Sequence, residues 1–231
     1  MPKSFKITYI DKFDSTNIKE QPVLLNSQYT TDDKPPYPQS KIYKSRDKVS
    51  KDDFVKYLIE HEMEECAYGR YNEEVFNKYI RREHIHSFQS DSLQLLILNG
   101  KKKFVLDFCK KTKYWNYLLI KTIQIDMGSL LAKLPHVKGV WFNFPNGLIR
   151  ASALMGANIE GTTDFQKYNT EGEISTLSFH FDHYNIMHPI MLVNDGTVVL
   201  QSNYSEVSQE LDLVLEVKKQ LIDGIFEKKD V

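Results

Sequence analysis

The stretch LQLLILNGKKKFVLDF, residues 93–108, carries the strongest local signal in the sequence. Two apolar runs, 93–98 and 104–108, stand on either side of Asn99-Gly100 and three lysines. Asn-Gly supplies the two residues with positive φ that a two-residue hairpin turn requires. We therefore predict a β-hairpin over 93–108 and take it as the centre of the sheet.

Further strands follow the hairpin at short intervals. Alternating or continuous apolar runs predict strands that are joined by turn residues such as Asn194-Asp195-Gly196. These predicted strands are 116–125, 139–144, 148–156, 173–181, 189–193 and 197–202. Strands that follow one another through tight turns pair antiparallel, so we predict a mainly antiparallel sheet over 92–202.

Helices are predicted on both sides of this sheet. Ser50-Lys51-Asp52-Asp53 fits a capping box, and helix-spaced apolar residues follow it, which predicts a helical hairpin over 50–84. A long helix is predicted at 205–227, and the proline-bearing segment 26–48 is expected to be a mobile loop. The predicted fold class is α+β: one domain over 1–231, with a mainly antiparallel central sheet, an N-terminal helical hairpin and a long C-terminal helix.

Composition restricts the function classes. The 231 residues carry a net charge of −1, which argues against a protein that is basic over its whole surface. Cys66 and Cys109 are far apart and fit reduced thiols, and no signal peptide or membrane-spanning stretch is visible. We therefore expect a cytoplasmic protein with no membrane contact. Arginine is scarce against lysine, which points to a low-GC bacterium, its phage or a mobile element.

Histidines concentrate in FHFDHYNIMHP, residues 179–189. On a strand, His180 and Asp182 share one face, His183 takes the other, and His188 lies beyond a bend at Tyr184-Asn185. His180, Asp182 and His183 are candidate ligands of a divalent metal, and His180 and Asp182 are candidate catalytic residues. The alternative, which we favour, is a set of hydrogen-bonded residues at a strand end, so no cofactor is expected.

The segment SFHFDH, residues 178–183, resembles the HxHxDH motif of metallo-β-lactamase-like hydrolases. That resemblance would imply a metal-dependent hydrolase. Ser178 stands where the motif has its first histidine, and no histidine follows His188. The chain is therefore not assigned to that family.

A second group lies in RREHIHSF, residues 81–88. Arg81 and His86 have the R-x4-H spacing and resemble the active pair of HEPN-type ribonucleases, which implies phosphate binding by Arg81 and acid–base chemistry by His86. His84 and His86 resemble the His-apolar-His pair of metal-dependent nicking enzymes. The alternative is a basic helix end, where arginine and histidine are favourable.

Lysines and aromatic rings alternate around the predicted hairpin. Lysines could neutralise phosphates while nearby rings stack on bases, which predicts contact with nucleic acid. The candidate residues are Lys101, Lys102, Lys103, Lys110, Lys111, Lys113 and Trp115. A charged hairpin edge that prevents aggregation is the simpler alternative.

The sequence favours a non-enzymatic binding or interaction protein, with nucleic acid or another protein as partner. The alternative is a small nuclease or metal-dependent hydrolase that uses the histidine clusters at 84–86 and 180–188. The predicted helix 205–227 is apolar on more than one face. The N-terminal helices or the same helix of a second subunit could cover the surplus, and we expect a homodimer through 205–227.

Overall fold

The structure is a computed structural model, and it describes residues 2–15, 23–24, 38–47, 49, 53–71, 74–145 and 150–230. Strands make up 52% of it and helices 25%, so the protein is mostly β. The α+β prediction, with an N-terminal helical hairpin and a long C-terminal helix, is therefore wrong. The prediction of an antiparallel sheet is confirmed. None of the helices in the described ranges is long and apolar enough to cross a membrane.

The chain divides into two compact units, and each is described by itself. Unit 1 contains the described residues up to Ile7 together with Thr122–Lys229, and unit 2 contains Thr8–Lys121 together with Asp230. The boundaries fall inside two strands, β1 (Lys3–Phe13) and β7 (Leu118–Ile125). The other elements each belong to one unit, apart from the last residue of the C-terminal strand.

Unit 2 consists of strands and one helix. Its elements are β2 (Val23–Leu24), β3 (Gln39–Lys44), β4 (Val55–Tyr71), β5 (Glu74–Ser90), β6 (Leu95–Asn99) and α1 (Lys102–Lys111), which a 3-10 turn at Thr112–Tyr114 follows. The antiparallel order is β2-β3-β4-β5-β6. Most of the predicted loop 26–48 lies outside the described residues, and its end contains β3.

The predicted helical hairpin 50–84 is a long β-hairpin. β4 and β5 have 17 residues each and pair from Val55 with Gln89 to Tyr71 with Glu74. Residues 50–52 of the predicted capping box lie outside the described residues. Asp53, its last member, accepts hydrogen bonds from Ser90 Oγ and the Ser92 amide.

Opposite charges across the two strands explain why this charged sequence forms a ribbon. Arg82 of β5 lies opposite Glu62 of β4, with its Nη2 2.6 Å from Glu62 Oε1 and its Nη1 3.8 Å from Glu60 Oε2. Farther along, Lys78 Nζ lies 2.8 Å from Glu64 Oε1. Cross-strand charge pairs stabilise a strand pair and fix its register. Helical spacing of the apolar residues was thus the wrong period.

The predicted hairpin 93–108 is also wrong in its second half. Its first half is strand β6, whose residues 95–98 are buried, but residues 102–111 form helix α1. Gly100 does not adopt the positive φ that the predicted turn requires. The Asn-Gly pair instead connects strand β6 to helix α1. Phe104, Val105, Phe108 and Cys109 are buried, which is helical spacing and places one face of α1 against the strands.

The core of unit 2 lies between α1 and the strands. Phe104 and Phe108 pack against buried side chains of β3, β4, β5 and β6, which are Ile42, Tyr57, Ile59, Ile85, Leu96 and Leu98. Trp115, Leu118 and Ile120 extend this cluster after the helix. The packing fixes the orientation of α1, so Lys102, Lys103 and Lys110 are exposed and Lys111 is half-buried.

The elements of unit 1 agree better with the predictions from the sequence. Its elements are α2 (Met127–Lys133), β8 (Val137–Asn143), β9 (Ala151–Met155), α3 (Thr163–Glu171), β10 (Glu173–His183), β11 (Ile186–Val193), β12 (Thr197–Leu200), α4 (Val207–Val217) and β13 (Phe226–Asp230). The predicted strands at 139–144, 148–156, 173–181, 189–193 and 197–202 are confirmed within a few residues. The order is β1-β12-β11-β10-β8-β9, and the register of the pairs is antiparallel.

The predicted helix 205–227 is shorter than expected. α4 ends at Val217, a π-helical turn covers Lys218–Ile222, and Gly224 with φ 87° turns the chain into β13. Leu211, Leu213, Val214, Val217 and Ile222 are buried within the chain. Val207, Leu215 and Ile225 are half-buried. The chain itself therefore covers most of the apolar surplus, and the homodimer through 205–227 stays a prediction.

Candidate functional site

The 179–189 segment spans the hairpin β10–β11 in unit 1. Tyr184 and Asn185 form the turn with φ of 54° and 59°, as the sequence predicted. His180 and Asp182 lie on one face and are exposed. His183 lies on the other face, as strand alternation requires. The three candidate metal ligands therefore do not share a face.

His183 and His188 each have a hydrogen-bond partner on the inner face. His183 Nε2 lies 3.1 Å from Asp212 Oδ2 of α4, and His188 Nδ1 accepts from the Tyr204 hydroxyl at 2.6 Å. Burial, together with the nearby charge of His183, lowers the pKa of His188. A neutral His188 keeps its Nδ1 lone pair for the tyrosine. The arrangement ties the hairpin to the segment leading into α4.

No group of three or more His, Cys, Asp and Glu side chains that could hold a metal ion occurs in the described part of the chain. The rings of His183 and His188 lie 6.2 Å apart, each occupied by its own partner. Both candidate catalytic residues of this segment, His180 and Asp182, point away from that pair.

Arg81, His84 and His86 lie on β5 in unit 2, not on a helix. Arg81 and His86 are five residues apart, so they point to opposite faces of the strand. Arg81 is held by Glu83 at 2.8 Å and Glu65 at 3.6 Å, and it covers the Phe104 ring. The hydrogen bond to Glu83 raises the pKa of Arg81. This geometry differs from a pair that acts on one phosphate.

The candidate lysines lie on and around α1. Lys101 binds Glu83, and Lys103 Nζ lies 2.9 Å from Glu65 Oε1, so the charges of both are compensated. The side-chain hydrogen bonds from Tyr79 and then Lys103 lower the pKa of Glu65 to about 2. Lys102, Lys110 and Lys113 are exposed, and no carboxylate of the described residues forms an ion pair with them.

Of the three aromatic residues that follow α1, Trp115 is buried, Tyr117 is half-buried and Tyr114 is exposed. Trp115 is 5% exposed and packs on Phe108 and Tyr117, and its Nε1 has no hydrogen-bond partner in the structure. Its ring is therefore out of reach of a base. Tyr114 is 49% exposed, and Lys113 Nζ lies 5.3 Å from its ring centroid. The ring that a base could reach is therefore Tyr114, and not Trp115 as the sequence predicted.

One buried hydrogen-bonded group has no local signal in the sequence. His61, with 0% exposure, joins Ser40 and Asp107: its Nδ1 lies 2.5 Å from Ser40 Oγ and its Nε2 3.0 Å from Asp107 Oδ2. These residue types form catalytic triads, but Ser40 is 1% exposed and lies inside the sheet. These two hydrogen bonds connect β3 to β4 and β4 to α1, and they hold the helix against the sheet. Ser40 and Asp107 are far from His61 in sequence, so no local pattern could have revealed it.

Asp107 is the only carboxylate of α1. Its burial raises the pKa, but the hydrogen bond from His61 and the charges of Lys111 and Lys110 act against burial, and the pKa lies below its usual value. An ionised Asp107 accepts from His61 Nε2–H, and His61 Nδ1 then accepts from the Ser40 hydroxyl. The one negative charge of the helix is thus directed inward.

Comparison with protein-family models gives no match, and comparison with curated protein sequences gives no significant match.

Proposed function

We propose that the protein is a binding protein that contacts single-stranded nucleic acid through the outer face of α1. One observation carries this proposal: Lys102, Lys110 and Lys113 are exposed without a carboxylate partner among the described residues, while Asp107 is used by His61. Positions 102, 106 and 110 follow one ridge of the helix. Lys113 continues that ridge into the 3-10 turn. We call Lys102, Lys110, Lys113 and Tyr114 the α1 face.

Charge supports a nucleic acid as the partner of the α1 face. The residues 101–113 contain six lysines and one aspartate, although the whole chain carries a net charge of −1. Lysines that neutralise phosphates release counterions, which gives affinity without sequence preference. A local concentration of positive charge can therefore bind phosphates although the net charge of the whole chain is −1.

Tyr114 supports a single strand as the form of the nucleic acid. An exposed aromatic ring beside lysines can stack on an unpaired base, whereas bases in a duplex are stacked on each other. Lys113 lies over the same ring and would meet the adjoining phosphate. This geometry gives the α1 face both parts of a single-strand site.

The proposal is tested with a fluorescein-labelled 20-nucleotide oligothymidylate and fluorescence anisotropy at several salt concentrations. The slope of log affinity against log salt is negative. Because the triple variant Lys102→Gln, Lys110→Gln, Lys113→Gln removes three phosphate contacts, this slope should become less negative by about 2. The matched control changes the same net charge in unit 1, with Lys133→Gln, Lys138→Gln and Lys167→Gln. Loss of binding that is equal in both triple variants, or no binding by the natural protein at 50 mM salt, would contradict the proposal.

A further inference from the structure

A cavity of about 400 Å³ lies where β3 and β4 are connected in unit 2. Lys44 and Arg46 come at the end of β3, and Asp53, Phe54 and Lys56 come at the start of β4. A hydrogen bond from the Ser45 amide to the Lys56 carbonyl, 2.9 Å long, closes the base of this connection. Small-molecule sites have volumes of roughly 300–1,000 Å³, so the cavity has room for a small ligand.

The lining of the cavity is apolar at its base. Phe54 is 5% exposed, and Val49 and Val55 are half-buried beside it. Apolar side chains in a concave site favour a ligand that has a hydrocarbon or aromatic part. A fully hydrated inorganic ion would gain nothing from this part of the surface.

Both carboxylates of the cavity already have partners. Asp53 accepts from Ser90 Oγ at 2.7 Å and from the Ser92 amide at 2.9 Å, and these hydrogen bonds lower its pKa. Asp47 lies 2.7 Å from Lys56 Nζ, and this hydrogen bond with Lys56 lowers the pKa of Asp47. The charge of Asp47 is thus compensated by Lys56, whereas Asp53 stays ionised with its two oxygens turned to Ser90 and Ser92. The three cations of the lining, Lys44, Arg46 and Lys56, outnumber these two carboxylates.

Two cations of the cavity remain. Lys44 and Arg46 are exposed, and no carboxylate of the described residues forms an ion pair with either of them. A guanidinium presents a planar fork that matches a carboxylate or phosphate, and a lysine adds a point charge. The cavity therefore combines an apolar base with two positive charges that have no carboxylate partner in the part of the chain that the structure describes.

We propose that this cavity binds a small organic anion, in which an aromatic or aliphatic body sits on Phe54 and Val55 and a phosphate or carboxylate group meets Arg46 and Lys44. The inference is independent of the α1 face, because the two sets of residues do not overlap. It does not require that the ligand be part of a nucleic acid.

The probes are phenyl phosphate, benzoate, inorganic phosphate and benzyl alcohol, each titrated into the ¹⁵N-labelled full chain and followed by amide chemical shifts. We expect phenyl phosphate or benzoate to shift amides at 44–47 and 53–56, and to bind about tenfold more tightly than inorganic phosphate or benzyl alcohol. Which of the two organic anions binds more tightly tells a phosphate site from a carboxylate site.

The variant is Lys44→Gln with Arg46→Gln, and the matched control is Lys102→Gln with Lys110→Gln. The first should lower affinity for the organic anion at least about tenfold, and the control should leave it unchanged. An unchanged amide spectrum of the free variant shows that it is folded. The proposal is overturned if no organic anion binds, if inorganic phosphate binds equally well, or if both variants lose the same affinity. If no organic anion binds in this cavity but oligothymidylate still binds, only the cavity proposal is overturned, and the proposal for the α1 face is unaffected.

Discussion

Replacing Asp107 by alanine removes the acceptor for His61 Nε2–H, a donor on a side chain with 0% exposure. A buried donor without a partner costs about 1–3 kcal/mol. The ion-pair contribution is discounted, because the Asp107 side chain is 26% exposed and solvent screens it. Alanine returns up to about 0.7 kcal/mol of helix propensity, so unit 2 should lose about 1–2 kcal/mol.

The assay is urea unfolding followed by the fluorescence of Trp115. The chain has two tryptophans, and Trp141 belongs to unit 1, so a Trp141→Phe background confines the signal to unit 2. With a slope of about 2 kcal/mol per molar urea, Asp107→Ala should lower the midpoint by about 0.5–1 M. Asp107→Asn keeps an acceptor oxygen and should lose less.

The same variants predict a pH dependence. Since the pKa of Asp107 is lowered in the folded protein, its stabilisation is present above the unfolded value and is lost as pH falls through the folded value. The gap between the natural protein and Asp107→Ala should therefore close below about pH 4. Equal midpoints at pH 7, or a gap that does not narrow as the pH falls below about 4 while unit 2 is still folded, would refute this role of the buried histidine.

Three further outcomes are expected. Gly100→Val should destabilise unit 2 by about 1–3 kcal/mol and Gly100→Ala by less, since a Cβ would lie 3.3 Å from both Ile85 and Val105; equal melting temperatures would contradict this. Asn185→Gly should stabilise unit 1 by about 0.5–1 kcal/mol, because glycine adopts the φ of 59° without strain, and a lower melting temperature would count against the turn. Metal analysis of the purified protein by mass spectrometry should find no equimolar zinc, manganese or iron that is lost in His180→Ala.

The sequence predicts unit 1 well because its signals are local. The strands of the β11–β12 hairpin alternate or are continuously apolar, and Gly196 with φ 82° provides the turn between them. β10 has buried residues at 177, 179 and 181, with half-buried Ser178 and exposed His180 between them, which is the period of a strand with one covered face. Such elements need no information from distant residues.

Unit 2 could not be predicted in the same way, because long-range pairing overrides local preference there. β4 contains Glu60, Glu62, Glu64 and Glu65, which favour a helix when considered alone. Their partners on β5 come up to 24 residues later, as for Glu60 and His84. Register therefore depends on pairs that a short window cannot contain.

The error at α1 has a different cause. KKKFVLDF contains buried residues at 104, 105 and 108, which fit a helix, but the preceding Asn-Gly favoured a hairpin. Because the segment is a helix, Lys102 and Lys110 lie on one outward face, while Lys111 is half-buried. The candidate lysines were thus found from the sequence, while their arrangement and the burial of Trp115 were not.

Amide chemical shifts of the ¹⁵N-labelled protein, mapped on addition of oligothymidylate, test most directly whether α1 is the binding surface. The largest shifts are expected at 102–114, around Lys102, Lys110, Lys113 and Tyr114, in fast exchange and with an affinity that falls as salt rises. No comparable change is expected in the hairpin that contains His180 and Asp182. Shifts concentrated in that hairpin, or none anywhere at millimolar oligonucleotide and low salt, would contradict the claim that α1 presents the binding surface.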